Sequence, residues 1–153
     1  LDILFGYAAA FSLAALVQVC VVAFVAIGLL GLDVRGSVAV AVILAVLNAL
    51  LGMALGLLVS AFATTEFQAV QFMPALLMPQ LVLSGIFAPR ASMATALVWL
   101  SDAMPMTYAY DALNRVATSD SIGGRLLVDA GVVAVASVIA LALGAATLRR
   151  RTP

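Results

Sequence analysis

The sequence predicts an all-α protein: a polytopic membrane helical bundle with four spanning helices and short re-entrant or interfacial helices between the third and fourth spans. Two observations carry this prediction. Of the 153 residues, 66% are apolar and 9% are charged, whereas a soluble domain carries roughly a quarter charged residues. Mean hydropathy is +1.26, and four stretches approach or exceed the roughly 20 apolar residues that a spanning helix needs. The whole chain, residues 1–153, is predicted to be one transmembrane domain.

The first two predicted spans are the most uniformly apolar stretches. Residues 3–32 carry no charge, and a short polar turn follows. The second span is predicted at Ser37–Phe62. Within it, Gly52 and Gly56 form a small-xxx-small pattern that lets two helix backbones approach closely. These glycines are therefore predicted to mark a helix contact.

The third predicted span, Gln68–Pro89, is apolar and charge-free but contains helix-breaking residues. Thr65 and Gln68 fit a capping box at its start. A proline inside a helix removes a backbone donor and clashes with the preceding turn, although neighbouring helices in a membrane can satisfy the freed carbonyls. The pattern predicts a broken span that turns sharply near one membrane face; the alternative is a kinked structural span. The predicted turn and gate residues are Pro74, Pro79, Ser84, Gly85, Pro89, Pro105 and Tyr108.

The segment that follows the third span differs in composition. Residues 87–125 contain three acidic and three basic residues. They also contain Trp99, Tyr108 and Tyr110, whose rings suit the membrane interface. Apolar residues recur at helical spacing before Pro105, and a proline costs nothing at the first position of a helix. The segment is predicted to form two short helices that lie at or dip into one face, the second beginning at Pro105.

The outer end of the third span is predicted to act as a gate. Gly85 can take the positive φ that a chain reversal requires. If the chain reverses there, the helix that begins at Pro105 would bring Tyr108 against the end of the third span.

The fourth span is predicted at about Leu126–Leu148, and the arginines Arg149–Arg151 stop it. Four spans place both ends of the chain on the same side of the membrane. The terminal arginines favour the cytoplasm, but four other arginines then lie outside. The positive-inside rule therefore leaves the orientation open.

The sequence lacks the residue sets that catalysis and metal binding require. It has no His and one Cys, Cys20, so neither a His/Cys metal cluster nor an intrachain disulfide is predicted. It has no phosphate-binding loop, and its zero net charge suggests no nucleic-acid partner. No ionisable residue lies in the central half of a predicted span, so transport would need energy from another polypeptide. Four amides within the spans either hydrogen-bond between helices or line a path for an amphipathic molecule: Gln18, Asn48, Gln71 and Gln80.

Two segments together resemble a known family. They are LSGIFAP at Leu83–Pro89 and MPMTYAYDALNR at Met104–Arg115. The chain is similar here to ABC-2 type permeases, the membrane subunits of ATP-driven exporters, including the daunorubicin-resistance type. The resemblance extends to Phe5–Tyr7 and to residues 50–68. One departure is Ala94, where the family often has proline.

The resemblance implies a six-span permease, of which this chain holds the last four spans without the first two and the cytoplasmic coupling helix. It implies a plasma (inner) membrane location in a prokaryote, a cytoplasmic C-terminus and extracytoplasmic re-entrant helices after Pro89. The implied partners are an ABC ATPase subunit that binds ATP and Mg²⁺, a second permease copy or paralogue, and membrane lipid. The chain itself is expected to hold no cofactor or metal and to catalyse no reaction.

The function implied by the resemblance is efflux of a drug-like, lipid or other amphipathic substrate, with antibiotic resistance as one expected outcome. Two alternatives remain open. A non-transporting assembly or anchor subunit would leave drug sensitivity unchanged on deletion. A four-span secondary transporter would need a membrane carboxylate, which the central halves of the predicted spans lack.

Overall fold

Helices make up the regular secondary structure of the chain in residues 2–119 and 123–149, the ranges that the computed structural model describes. In chain order the α-helices are α1 Asp2–Ala23, α2 Val38–Phe62, α3 Glu66–Leu83, α4 Thr95–Asp102, α5 Pro105–Thr118 and α6 Gly124–Arg149. A π-helical segment, Phe24–Leu29, continues α1, and a 3₁₀ turn, Arg90–Ser92, lies between α3 and α4. The protein is an all-α, multi-pass membrane bundle, as the sequence predicts.

Three helical stretches within the described ranges are long and apolar enough to cross a membrane: Ala9–Leu29, Val38–Phe62 and Gly124–Thr147. The third predicted span corresponds to α3, which has 18 residues. At 1.5 Å per residue α3 is about 27 Å long, slightly shorter than the hydrocarbon core of about 30 Å. It also carries Glu66 and several amides, which lower its hydropathy. A fourth crossing at α3 therefore stays a prediction.

The core lies where α2, α5 and α6 meet. Two buried clusters hold these helices together: Leu44, Ala112, Val116 and Leu126 form one, and Leu51, Ala109 and Val133 form the other. Further along, the backbone of Gly144 on α6 lies beside Leu58 on α2. Moving from the first cluster to the last contact, the residue numbers rise along both α2 and α6. From the first cluster to the second, they fall along α5. It follows that α2 and α6 run parallel and that α5 is antiparallel to both.

The helix α5 begins at Pro105, as predicted, within the bundle, and it ends at the face where α2 and α6 begin. Its 14 residues extend about 21 Å, roughly two thirds of the hydrocarbon thickness. Its buried residues are all small or β-branched: Thr107, Ala109, Ala112 and Val116. By contrast, α4 is largely exposed, and the side chain of Trp99 is 75% exposed. The prediction of two short helices at one face is confirmed, and α5 is the one that dips inward.

The loop between α1 and α2 contacts the end of α5. The backbone amides of Arg35 and Gly36 donate to the carbonyls of Ala117 at 3.2 Å and Val116 at 2.9 Å. The start of α2, the end of α5 and the start of α6 therefore share one face of the bundle. The turn from α2 to α3 lies at the opposite face.

The helix α3 is continuous through both of its prolines, Pro74 and Pro79. Its predicted cap is present, because the hydroxyl of Thr65 accepts a hydrogen bond from the backbone amide of Gln68 at 3.2 Å. The reciprocal half of the capping box is displaced by one residue: the side-chain oxygen of Gln68 accepts from the backbone amide of Thr64 at 2.9 Å. The helix ends at the predicted turn, where Gly85 has φ +98°.

Candidate functional site

A large apolar groove runs between α1 and α2. It has a volume of about 1040 Å³, and Met73 of α3 and Leu113 of α5 complete its walls. Among its lining residues only Gln18 and Ser60 have polar side chains. Pockets for drug-sized molecules typically have about 300–1,000 Å³ and mostly apolar walls with few polar groups. The groove therefore has the size and chemistry for an amphipathic molecule or for the acyl chains of a lipid.

The four amides predicted to line a path do not converge. Gln18 lines the groove, whereas the other three are not among the described residues around it. Asn48 is half-buried on α2, and Gln71 is exposed on α3. Gln80 is buried, and its side-chain amide donates to the carbonyl of Leu76 at 3.3 Å within the same helix. Gln18 is thus the amide that the structure places at the groove.

The two glycines of the small-xxx-small pattern have different surroundings. A Cβ on Gly52 would meet nothing within 4 Å, because this residue opens onto the groove. A Cβ on Gly56 would lie 2.9 Å from the terminal methyl of Met73 on α3. Gly56 thus lies at a contact between α2 and α3, while Gly52 lines the groove.

The turn at the end of α3 is fixed by buried hydroxyl groups. The hydroxyl of Ser84 donates to the carbonyl of Leu81 at 2.8 Å. The hydroxyl of Ser101 on α4 donates to the carbonyl of Leu83 at 2.8 Å, and Thr107 on α5 donates to the carbonyl of Ser101 at 2.7 Å. Ser84, Ser101 and Thr107 are all completely buried. The ends of α3, α4 and α5 are therefore joined through one polar junction.

No pattern in the sequence singles out Ser101 and Thr107. A serine and a threonine six positions apart around a proline are ordinary in a loop. Only the fold shows that the Ser101 hydroxyl reaches the Leu83 carbonyl at the end of α3 and that Thr107 donates to the Ser101 carbonyl, which also accepts from the backbone amide of Met104.

The aromatic residue nearest the Gly85 turn is Tyr110, not Tyr108 as the gate hypothesis has it. A Cβ on Gly85 would lie 3.5 Å from Cε1 of Tyr110. The hydroxyl of Tyr108 donates to the carbonyl of Asp102 at 2.8 Å, and its ring packs beside the Leu51 cluster. Successive residues on a helix point about 100° apart. Tyr108 and Tyr110, two positions apart, therefore lie on different faces of α5.

The other predicted turn residues have local roles. Pro89 precedes the 3₁₀ turn, and its carbonyl accepts from the backbone amide of Ser92 at 2.9 Å. Pro74 and Pro79 are exposed on α3. Ala94, where the related family often has proline, caps α4 with φ −61°, a value that proline also adopts. The backbone at Ala94 therefore has a shape that a proline at this position could also adopt.

Charged residues around α5 pair with one another. Arg90 contacts Asp102 and also Asp111, the latter at 3.3 Å. The Nε atoms of Arg115 and Arg125 each lie 3.3 Å from a carboxylate oxygen of Asp129. These residues form two ion-paired groups: one joins the 3₁₀ turn to α4 and α5, and the other joins α5 to α6. The sequence shows the equal numbers of acidic and basic residues but not which ones pair.

Burial sets the protonation behaviour of Asp111, which lies on α5 and outside the spanning helices. Desolvation raises the pKa of Asp111 above its ordinary value of 3.8, and the nearby Asp129 also raises it. The guanidinium of Arg90 lowers this pKa, with smaller lowering effects from Arg115 and Arg125, but desolvation dominates. The site thus holds a carboxyl group whose charged form is disfavoured.

No cluster of three or more potential metal ligands is present in the part of the chain that the structure describes. The described groove is lined by apolar side chains, one amide and one hydroxyl. Such a lining suits contact with an apolar molecule.

Comparison with known proteins agrees with this arrangement. The family model of the ABC-2 type transporter matches residues 1–117. The chain belongs to the ABC-2 type transporter family. It is 31% identical over 115 residues to ABC transporter G family member 20 of Dictyostelium discoideum. That alignment covers 75% of this chain and 16% of the relative, so the chain spans a minor part of the relative's length. No solved structure matches the chain.

Proposed function

We propose that the chain forms the translocation path of an ATP-driven exporter for a drug-like, lipid or other amphipathic molecule. Membership of the ABC-2 family supports a permease role in an ABC transporter. The observation that carries the substrate class is the groove of about 1040 Å³ with apolar walls and the single amide of Gln18. Apolar walls offer favourable contact to an apolar body, and one amide can orient a polar group.

The driving energy in this proposal comes from an ABC ATPase. Neither the groove nor the described core contains a set of groups for ATP hydrolysis, and the family supports an ATPase partner. ATP and Mg²⁺ would be bound by that ATPase, and a second permease copy or paralogue would complete the path. We place the complex in the plasma membrane, with drug efflux as its cellular role.

A groove-filling substitution tests the path. Ala45 lines the groove, so Ala45→Trp should fill part of it and lower export of a fluorescent amphipathic drug severalfold. Ile43 lies two residues away with a 66% exposed side chain and does not line the groove, so Ile43→Trp is the matched control. Membrane abundance is measured by quantitative blotting. If Ala45→Trp exports as well as Ile43→Trp at equal abundance, the groove is not the path.

A second part of the proposal is that the Gly85 turn and α5 form an outer gate. Gating needs two packings of similar energy, and a side chain at Gly85 would strain one of them because its φ is +98°. Gly85→Val should therefore leave membrane abundance near wild type while export falls strongly. Export by Tyr110→Ala should be compared with export by Tyr108→Ala, because Tyr110 is the ring beside Gly85. Equal falls in abundance and export would mean that the turn only secures the fold.

A further inference from the structure

A small pocket lies between the end of α5 and the start of α6. It has a volume of about 120 Å³ and is lined by Arg115, Val116, Ser119, Gly123, Arg125 and Leu126. Two of these six residues are arginines whose side chains are 47% and 60% exposed. The pocket is separate from the groove between α1 and α2, with which it shares no lining residue.

A buried carboxylate holds the two arginines together. Asp129 is completely buried, and each of its oxygens lies 3.3 Å from an arginine Nε. Neither contact has the alignment of a hydrogen bond, and the carboxylate oxygens have no hydrogen-bond partner among the described residues. The attraction is therefore ionic, and it leaves the guanidinium donors available. Each guanidinium carries five N–H donors in a planar fork.

The local charge balance favours an additional anion. Arg115 and Arg125 carry two positive charges, and Asp129 supplies one negative charge. Two guanidinium groups drawn to one carboxylate repel each other, and an anion bridging them relieves this repulsion. Bidentate contact with phosphate is a geometry that arginine is suited to make.

The last carbonyls of α5, beside the pocket, are hydrogen-bonded. The carbonyls of Arg115, Val116 and Ala117 accept hydrogen bonds from the backbone amides of Ser119, Gly36 and Arg35, respectively. The start of α6 lies on the other side of the pocket, where the helix dipole attracts negative charge. The start of α6 thus adds to the positive potential of the two arginines, while the C-terminal end of α5 partly offsets it.

The position of the pocket indicates where the anion comes from. It lies at the face where α2 and α6 begin, and both helices are apolar enough to span a membrane. Beside Arg125 on α6, Leu127 and Val128 are 69% and 54% exposed. These side chains provide an apolar surface next to the two arginines, as a lipid with a charged headgroup and acyl chains requires.

We propose that Arg115 and Arg125 bind the phosphate group of a membrane lipid headgroup, with Asp129 positioning both arginines. The lipid would lie against the start of α6, and its headgroup would join α6 to the end of α5. A headgroup with net negative charge is favoured over a zwitterionic one, because the arginine pair retains one uncompensated positive charge.

Lipid retention by the purified full-length permease tests this proposal. Native mass spectrometry measures bound lipid after titration with phosphatidylglycerol or phosphatidylcholine. We expect preferential retention of phosphatidylglycerol by the wild type, with Arg115→Gln and Arg125→Gln each weakening it about tenfold, as the loss of a charge-assisted hydrogen bond implies. Arg35→Gln is the matched control, because Arg35 is exposed at the same face but does not line the pocket. Equal loss in the Arg35 variant would overturn the proposal.

Three further arms separate the alternatives. Arg125→Lys keeps the charge but loses the planar fork, so it should fold and retain phosphatidylglycerol less well than wild type; the thermal midpoint without added lipid checks its fold. If inorganic phosphate displaces the lipid and protects the protein equally in lipid-free detergent, the ligand is soluble phosphate and the lipid assignment is wrong. Asp120 lies between α5 and α6 in the sequence, and the proposal fails if lipid binds only to Asp120→Asn.

Discussion

Gly36 and Gly85 are required for different physical reasons. Gly85 has φ +98°, a conformation that costs most other residues roughly 1 kcal/mol or more. Gly36 is required by close approach: a Cβ there would lie 2.7 Å from the carbonyl oxygen of Val116 and 2.9 Å from that of Ser119. The sequence indicates the requirement at Gly85, since a Ser-Gly pair follows an apolar helix. The sequence does not indicate the close approach at Gly36, because the neighbours of Gly36 are about 80 residues away in the chain.

We predict that Gly36→Ala destabilises the protein by about 1–3 kcal/mol, the typical cost of overpacking. The added methyl group would meet backbone atoms at the end of α5, which cannot rotate away as a side chain can. Gly131→Ala is the control, since a Cβ on this exposed α6 residue meets nothing within 4 Å. It should be neutral or stabilising by up to about 1 kcal/mol, because alanine favours helix. Thermal midpoints in detergent measure both, and equal effects would contradict the prediction.

We predict that Asp111→Asn changes the pH dependence of stability. Because desolvation raises the pKa of Asp111 above 3.8, the folded state keeps this proton at pH values where the unfolded chain has lost it. The contribution of Asp111 to the free energy of unfolding is therefore greatest below pH 3.8 and falls as pH rises through the raised pKa. The charged groups that influence it are Arg90, Arg115, Arg125 and Asp129.

Thermal midpoints of wild type and Asp111→Asn, measured from acid to neutral pH, test this sign. The stability of the wild type relative to the variant should be highest at the acid end and should decline toward neutral pH. A difference that grows with pH would mean that attraction to Arg90 outweighs desolvation.

At the scale of elements, α3, α4 and α5 act as one unit because their ends share the buried junction of Ser101 and Thr107. We predict that Ser101→Ala costs about 1–3 kcal/mol, since it leaves the buried carbonyl of Leu83 without the side-chain donor. Ser137→Ala is matched: Ser137 is also buried, but its hydroxyl donates to the Val133 carbonyl within its own helix. It should cost little, and comparable losses of thermal stability would show that the junction has no special role.

The sequence predicts the elements better than their contacts. The starts of α3 and α5 follow from Thr65 and Pro105, because caps and prolines act within a few residues. The depth of α5 does not follow, because its charges suggest an interfacial helix. In the structure Asp111 and Arg115 pair with Arg90 and Asp129, while its small residues face α2 and α6. Such pairing lets a charged helix enter the bundle.

The candidate site was predicted only in part, because it too depends on contacts between helices. An amide in an apolar stretch indicates a buried polar group, but not the direction in which it points. Gln18 faces the groove, whereas Gln80 donates to its own helix. The groove itself depends on how α1 and α2 diverge, and no local pattern in the sequence specifies that angle.

At the scale of the whole molecule, the parallel arrangement of α2 and α6 fixes which loops share a face. The loop before α2 and the end of α5 meet through the backbone bonds from Arg35 and Gly36, so Ser119 lies at the face where α2 and α6 start. The turn from α2 to α3, which contains Thr64, lies at the other face. If the protein is oriented as its resemblance implies, Ser119 is extracytoplasmic and Thr64 is cytoplasmic.

We predict that single cysteines report this orientation in intact cells. Cys20 is exposed on α1, so Cys20→Ala provides the background for Ser119→Cys and Thr64→Cys. An impermeant thiol reagent should label Ser119→Cys strongly and Thr64→Cys only after the cells are opened, because a charged reagent cannot cross the hydrocarbon core. Both positions are exposed, so poor access within the fold would not explain a missing signal. Labelling of Thr64→Cys alone in intact cells would reverse the orientation and place the Gly85 turn, α5 and the arginine pocket toward the cytoplasm.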